Sequence, residues 1–359
     1  MTASLARLTI DLDALAANHA LARRQAGAAE IAPVVKADAY GLGVAPIVRR
    51  LRAEGAERFF VARLDEGVAL RRILGPEPTL YVFDGCAPGA APRLMQASLT
   101  PVLNSLEQIG DWTATGGGDG ALHIDTGMNR LGLRMEEAEA LAHDPRRLGD
   151  LSVSLVISHL ACASTPDHPM TQVQAEAFSQ ARRWFPNARA SLANSGGLFQ
   201  DPALAFDLGR PGVCLFGGGP FGEPDPRISP VATLEAPILQ IRSVPAGESI
   251  GYGASFVAPH SLSVALIAAG YADGVLRSQS PAGYGWLRGA RRRILGRISM
   301  DLIAIDVSDD PAARPGDMVE LLGPNLLLDD VAQTGGTVAY EILTSLNRRV
   351  ARQWRGAAG

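Results

Sequence analysis

The chain has 359 residues, 47% of them hydrophobic, and a formal net charge of −4 at pH 7. That length predicts two domains with a sizeable core, and the scattered cations argue against a nucleic-acid or anionic-membrane partner. Three widely spaced cysteines, no apolar leader and no run of about 18 apolar residues predict a cytoplasmic protein without a disulfide framework, a metal site or a membrane span.

Up to about residue 215, short apolar runs alternate with helical segments such as GVAPIVRRLRAEGA and MTQVQAEAFSQARRWF. Repeated strand-then-helix order predicts a parallel sheet. Eight such units fit a closed (β/α)8 barrel of the TIM type, with a doubly wound open sheet as the alternative. The strand candidates are IAPVVK, FFVA, TLYVF, LTPVL, ALHID, VSLVIS, ASLAN and the FDLGRPGVCLF region.

The pattern changes at GGGPFGEPDPRISP, a Gly- and Pro-rich segment that we interpret as a linker. Beyond it, the β-rich runs SVALIAAGY, DLIAIDV and DMVELL are separated by turns, and helical periodicity returns only in YEILTSLNRRVARQW. We therefore predict a barrel domain over residues 10–228 and a mostly-β domain over residues 229–359. Residues 1–9 are expected to pack with the second domain.

The distribution of cations singles out one residue. Of the 33 Lys and Arg residues only Lys36 is a lysine, so 33 − 1 = 32 are arginines. A lysine can lose its proton and attack a carbonyl group, whereas an arginine stays protonated. The single lysine could be present by chance, but the strong preference for arginine elsewhere in the chain favours a site that needs an amine.

Polar residues cluster where the predicted barrel strands end, which is where barrels of this type carry their functional groups. Glycines in the ANSGG and RPGVCLFG turns would let backbone N–H groups approach a phosphate, and a serine hydroxyl would add a donor. A lone histidine at such a position is more often structural, but five polar strand ends together favour a site. These residues are Lys36, Arg130, His159, Asn194, Ser195, Arg210 and Gly212.

The motifs VVKADAYGLG, DTGMNRLG, ANSGG, RPGVCLFG, GYGASF, GYADG and GRISMD occur together and in this order. In that order the sequence resembles the alanine racemases, and the resemblance covers both predicted domains. It implies a pyridoxal 5′-phosphate (PLP) enzyme of fold-type III that interconverts L- and D-alanine as a cytoplasmic homodimer with shared active sites. The D-alanine would serve as a peptidoglycan precursor or be degraded.

The resemblance also implies residue roles. Lys36 would carry PLP and act as one base, with Tyr252 of the partner subunit as the opposite base. Two bases on opposite faces let a proton leave one face of Cα and return to the other. The implied cofactor contacts are Tyr40, His159, Asn194, Ser195, Arg210, Gly212 and Val213, and the implied substrate contacts are Arg130, Met300, Tyr271 and Asp301, with Arg277 and Arg297 in the same shell.

The sequence departs from this family pattern at three positions. His123 stands seven residues before Arg130, where many members have a carbamylated lysine, so we expect Arg130 to be held without a carbamate. Arg348 stands where some members place a gate tyrosine, and Ser299 where some have a cysteine.

Other readings remain open at this point. A broader racemase acting on serine, lysine or arginine would share these motifs, because loop geometry sets the side-chain pocket. A non-catalytic PLP-homeostasis protein would share the barrel and the lysine, but the long second domain argues against it. A decarboxylase of the same fold type is a weaker alternative.

Overall fold

The computed structural model describes residues 6–356, which form two compact units. The first, here called the barrel unit, comprises residues 16–39 and 43–215. The second, called the β unit, comprises residues 6–15, 40–42 and 216–356. The described chain opens with strand β1 (Arg7–Asp11) in the β unit, followed by helix α1 (Leu12–Gln25).

Eight parallel strands form the barrel unit. Strands β3 to β8 make a six-stranded sheet in chain order, and β2 pairs with β9. Val35 N donates to Phe60 O (2.9 Å), and Asp207 N donates to Ala190 O (2.9 Å), so β2 lies beside β3 and β9 beside β8. The sheet is therefore closed, which confirms the predicted (β/α)8 barrel. The strands are β2 (Glu30–Ile31), β3 (Arg58–Val61), β4 (Thr79–Val82), β5 (Thr100–Leu103), β6 (Gly118–His123), β7 (Leu151–Ile157), β8 (Arg189–Ser191) and β9 (Leu208–Gly209).

The helices of the barrel unit bury one face each, as their apolar periodicity predicts. In the third helix that face is Ile47, Val48 and Leu51. The helical elements after α1 are the left-handed turn α2 (Lys36–Tyr40), α3 (Val44–Ala53), α4 (Leu64–Leu74), α5 (Ala91–Gln96), α6 (Leu106–Thr113), α7 (Met135–His143), α8 (Pro169–Trp184) and α9 (Ser195–Gln200), with 3-10 turns at Pro145–Leu148, Pro202–Ala205 and Val213–Phe216.

The β unit is built around the 13-residue strand β10 (Ala232–Val244). In its eight-stranded sheet β1 lies between β10, to which it is antiparallel, and β18, to which it is parallel. The other six strands of this sheet are β13 (Leu262–Ile267), β14 (Tyr284–Leu287), β15 (Ala290–Arg293), β16 (Ile303–Asp306), β17 (Met318–Leu322) and β18 (Ala351–Arg355). Strands β11 (Ser249–Ile250) and β12 (Phe256–Val257) form a separate two-stranded sheet. The helical elements are α10 (Leu328–Thr334) and α11 (Ala339–Ser345), with 3-10 turns at Tyr252–Ala254, Tyr271–Asp273 and Arg277–Gln279.

The C-terminal segment corrects one expectation. The periodicity of YEILTSLNRRVARQW predicts a helix throughout, but α11 ends at Ser345 and the last part is the strand β18. Trp354 Nε1 donates to Leu42 O (3.1 Å), and β18 pairs with β1 along five residues. Tertiary pairing therefore overrides local helical preference in this strand. Among the described residues, none of the helices is long and apolar enough to cross a membrane.

Candidate active site

Lys36 follows the first barrel strand and begins the left-handed turn α2. Ala37, Asp38 and Ala39 have φ between 52° and 56°, with ψ between 46° and 56°. Glu66 Oε1 accepts the Ala37 N–H (2.8 Å), and Asp38 Oδ1 accepts the Val44 N–H (2.8 Å). The turn is thus fixed from both sides, and it sets the position of the Lys36 side chain.

The Lys36 amine lies in surroundings that favour its neutral form. Burial lowers the pKa of Lys36, and the positive charge of Arg130 lowers it further, against weaker opposing effects of Glu66 and Asp84. Lys36 forms no hydrogen bond or ion pair with any residue in the described range. A lowered pKa makes a lysine easier to deprotonate, and the neutral amine is the form that acts as a nucleophile or a base.

Ser195 is the centre of a buried polar turn between the last two barrel strands. Its Oγ accepts hydrogen bonds from Gly212 N (3.0 Å) and Cys214 N (3.4 Å). A hydroxyl has two acceptor positions and one donor, so Ser195 keeps its proton for another acceptor. Asn194 caps α9 by accepting the Gly197 N–H (3.1 Å). Val213 begins the 3-10 turn that follows Gly212, and its side chain is buried.

Arg210 is a buried cation held by neutral acceptors. Nη2 donates to Ser158 O (2.5 Å) and Leu192 O (3.3 Å), and Nη1 donates to Ser191 Oγ. Burial lowers the pKa of Arg210 to about 9, so the group is still positive at neutral pH. No carboxylate in the described part of the chain pairs with it, and its Nε–H and second Nη1–H have no acceptor there. These donors suit a neutral nitrogen or an anion of a ligand.

His159 lies at the end of β7, directly after Ser158. Burial and the positive charges of Arg210 and Arg130 hold the pKa of His159 well below its usual range. His159 is therefore neutral at pH 7. The positive charge of Arg130 also lowers the pKa values of Lys36 and His123. Arg130 therefore lies close enough to Lys36, His123 and His159 to influence the charge of all three.

Arg130 lies on a loop after β6 that is wound around a carboxylate. Asp125 Oδ1 accepts the N–H groups of Gly127 (3.0 Å), Met128 (2.9 Å) and Asn129 (3.1 Å). The loop returns at Gly132, where φ is 112° and an added Cβ would lie 2.8 Å from Asp125 N. Only glycine fits this close approach. The Arg130 side chain is exposed and pairs with no described residue.

His123, in place of the family's lysine, belongs to a separate hydrogen-bonded pair. Its Nδ1 lies 2.7 Å from Asn104 Oδ1, and Asn104 Nδ2 donates to Phe83 O (2.9 Å) and Val102 O (2.8 Å). Because these donors fix the amide, His123 Nδ1 carries the proton. Burial and Arg210 lower the pKa of His123 to about 4, so it carries no charge at pH 7.

The β unit brings a second group of predicted residues together. Tyr271 N donates to Ser299 O (3.1 Å), and Ala272 N donates to Met300 O (3.0 Å). Gly270 makes this contact possible, since an added Cβ would lie 2.3 Å from both carbonyl oxygens. Asp301 accepts a hydrogen bond from Arg349 Nη2 (2.8 Å). Tyr271, Met300 and Asp301 therefore share one exposed surface of this unit.

Tyr252 is the most exposed large apolar side chain described, at 69%. It lies in a 3-10 turn next to Arg297, whose Nη1 would be 3.3 Å from a Cβ added at Gly253. Arg277 and Arg348 are exposed elsewhere in the unit. Tyr40, by contrast, is buried and its ring centre lies 4.8 Å from that of Phe216 and 5.9 Å from that of Tyr340.

Three residues that sequence analysis missed organise these groups: Asn104, Gln174 and Arg349. Gln174 lies on the buried face of α8 with Thr171 and Phe178, and a glutamine on an apolar helix face was the available signal. Arg349 pairs with Asp273 (2.6 Å) as well as Asp301. Neither Asn104 nor Arg349 had a signal in its neighbouring sequence.

The fold and site define a class: proteins of two units, one a (β/α)8 barrel that carries a buried lysine and arginines at its strand ends, the other rich in β-strands. Comparison with known proteins is more specific. Residues 10–220 match the model of the alanine racemase N-terminal domain, and residues 231–354 match the model of the alanine racemase C-terminal domain. The chain belongs to the alanine racemase family.

Individual alanine racemases match this chain over nearly its whole length. The alanine racemase of Rhizobium meliloti (strain 1021) is 44% identical, covering 98% of this chain and 97% of its own. That of Rhodospirillum rubrum is 45% identical, covering 98% and 96%. The crystal structure of the Bartonella henselae alanine racemase, which has covalently bound pyridoxal phosphate, has a TM-score of 0.93 at 35% identity and covers 98% of this chain and 99% of that one.

Proposed function

We propose that this protein interconverts L-alanine and D-alanine with PLP bound to Lys36. The observation that carries the proposal is the only lysine of the chain, placed at a barrel strand end with a lowered pKa, in a chain that matches both domains of the family. We assign residues 10–228 as the PLP-binding domain and residues 229–359 as the β-rich domain.

The polar groups of the barrel unit fit this cofactor. Ser195 retains a proton for a phosphate oxygen, and Arg210 retains N–H donors for the pyridine nitrogen. We assign His159 to the connection between the base and Arg210. When bound, PLP withdraws electrons from Cα of an attached amino acid and so makes its proton labile. The phosphate contacts are assigned to Tyr40, Asn194, Ser195, Gly212 and Val213.

Two side chains are assigned as bases. The Lys36 amine accepts a proton from one face of Cα, a role that the lowering of its pKa by burial and by Arg130 favours. Tyr252 of a partner subunit serves the opposite face, as its exposed position in the β unit allows. A homodimer would then hold two equivalent composite sites.

Substrate contacts are assigned to both units. Arg130, which has a free guanidinium among the described residues, binds the amino-acid carboxylate by a charge-assisted hydrogen bond. Tyr271 and Met300, whose segments meet at the Gly270 contact, and Asp301, which is held by Arg349, form the β-unit part of the substrate shell.

Borohydride trapping tests the assignment of Lys36. Reduction of the PLP-loaded protein fixes the cofactor to its lysine, and peptide mass spectrometry locates the added mass. Because the chain has a single lysine, the expected result is one modified peptide that contains Lys36. Protein reduced without PLP is the control, and an active, reduced sample with unmodified Lys36 contradicts the assignment.

A substrate panel tests the reaction. Purified protein is incubated with PLP and, separately, the L-isomers of alanine, serine, lysine and arginine, and the enantiomers are separated by chiral chromatography. We expect the highest kcat/KM for alanine. A clear preference for another amino acid would replace alanine as the substrate, and racemisation of none would contradict the proposed function.

A further inference from the structure

Gln174 is a fully buried amide on α8 whose hydrogen bonds reach two backbone positions just after the end of β7. Its side chain has 0% exposure. Oε1 accepts the Ala161 N–H (2.8 Å), and Nε2 donates to His159 O (2.9 Å). These two bonds hold the backbone immediately around His159.

The same amide also reaches the strand end that precedes the Arg130 loop. Nε2 donates a second hydrogen bond to Thr126 Oγ1 (3.3 Å), and that hydroxyl lies 2.8 Å from Ser158 Oγ. Thr126 is buried and directly follows Asp125, around which the loop is wound. Gln174 is therefore bonded to the ends of both β6 and β7.

The network continues to the buried cation of the site. Ser158 O, next to the hydroxyl that meets Thr126, accepts the hydrogen bond from Arg210 Nη2 (2.5 Å). A buried polar network of this kind is rigid when each member has its partner. The bonded path from Gln174 thus connects the segments that carry His159, Arg130 and Arg210, and all of them belong to the barrel unit.

Only a primary amide of this length can make all three bonds. Glutamate has no donor when ionised, and leucine has the volume but no polar atoms. We propose that Gln174 is a positioning residue: it sets the strand-end geometry of His159, Arg130 and Arg210. The inference rests on the proposed function of these three residues.

The test compares two substitutions with a matched control. Gln174→Leu keeps the volume and removes every hydrogen bond, and Gln174→Glu keeps the shape and loses both donors. Gln172→Leu is the control, because Gln172 is exposed on the same helix and, in the described part of the chain, its amide bonds only to Glu176. For each PLP-loaded protein one measures Tm, bound PLP, kcat and KM for L-alanine well below Tm.

For Gln174→Leu we expect normal PLP content and a kcat/KM lower by on the order of ten- to a hundredfold, as small displacements of catalytic groups produce. The loss should appear in both kcat, through His159 and Arg210, and KM, through Arg130. Gln172→Leu should match the wild type. Wild-type kcat and KM in a Gln174→Leu protein with a lowered Tm would overturn the inference, because the residue would then serve stability alone.

The pH profile of Gln174→Glu adds a readout that a packing role would not change. Burial raises the pKa of a glutamate, and the protonated acid regains one O–H donor. Relative to wild type, its kcat/KM should therefore recover as pH falls from about 9 to 6, while Gln174→Leu should show no such recovery. If the kcat/KM of Gln174→Glu relative to wild type does not change across this pH range, the inference is overturned. If Gln174→Leu does not fold, the Gln174→Glu profile alone tests the inference.

The two proposals can fail separately. If the wild type racemises no alanine, the proposed function fails, and the positioning role is judged from the absorbance maximum of bound PLP, which Gln174→Leu should shift and Gln172→Leu should not. If the wild type is active and both Gln174 variants behave as wild type, only the positioning role fails.

Discussion

At the scale of single residues, arginine and lysine have different roles in this chain: the arginines stay protonated, whereas the one lysine can lose its proton. Arginines form the ion pairs, such as those of Arg349 with Asp273 and Asp301. The one lysine lies where burial and Arg130 lower its pKa, and no carboxylate within residues 6–356 forms an ion pair with it. A lysine that exchanges protons requires that arrangement, because a carboxylate partner would keep it protonated.

His123 leads to a prediction about bicarbonate. A carbamate needs an amine, and the ring of His123 is neutral above its pKa of about 4 and bonded to Asn104. We therefore predict the same kcat/KM for L-alanine in carbonate-depleted buffer and in buffer with added bicarbonate. Without a carbamate, the hydrogen bonds that Asp125 accepts from the loop backbone should hold the conformation of the Arg130 loop.

The measurement uses degassed buffer under nitrogen, titrated with bicarbonate at constant ionic strength and pH. Sodium chloride at the same ionic strength is the control, since chloride could bind beside Arg130 as a small anion. Activity that rises with bicarbonate but not with chloride would contradict the prediction.

The sequence predicts the polar residues at the strand ends of the site but not the residues that hold them in place. Lys36, Arg130, His159, Ser195 and Arg210 are polar residues at the ends of apolar runs, so strand-end reasoning finds them. Their supports lie on other elements: Gln174 comes from a helix 15 residues after His159, and Asn104 lies 19 residues before His123. Tertiary packing selects such partners, and local pattern does not encode them.

At the scale of elements, the left-handed turn α2 is the least predictable feature. The segment KADAY has ordinary helical composition, yet Ala37, Asp38, Ala39 and Tyr40 all have positive φ. Each such non-glycine residue costs roughly 1–2 kcal/mol relative to a right-handed conformation. Bonds from Glu66 and Asp38 hold the turn, and those partners are set by the fold. The regular barrel strands were predictable because their apolar runs are bounded by helices.

Substitutions at Ala37 test whether this turn is strained. The residue is exposed, so a change there alters backbone preference more than packing. Ala37→Gly should leave stability unchanged or raise it by up to about 1 kcal/mol, because glycine accepts positive φ. Ala37→Val should lower it by about 1–3 kcal/mol, because a β-branched residue strongly disfavours that region. Urea unfolding measures both.

Ala20 provides the matched control, since it is an exposed alanine in the right-handed helix α1. There Ala20→Gly should cost about 1 kcal/mol and Ala20→Val less. The order of glycine and valine should therefore reverse between the two sites. The same order at both sites would show that α2 is not left-handed in solution.

At the scale of the whole molecule, the two assigned bases lie in different units: Lys36 in the barrel unit and Tyr252 in the β unit. This division is compatible with a site shared between two subunits, and a complementation experiment tests that arrangement. Lys36→Ala and Tyr252→Phe are each expected to be nearly inactive as homodimers. Coexpression with two different affinity tags should yield all three dimers, and random pairing gives about half heterodimers.

In each heterodimer, one composite site carries both substitutions and the other carries neither. Half of the sites in half of the dimers are then intact, so the mixture should recover about one quarter of wild-type activity, and the tandem-purified heterodimer about one half. If both bases came from one chain, every site would keep one substitution. A purified heterodimer with full PLP content at its unsubstituted Lys36 but no activity would therefore contradict the shared site.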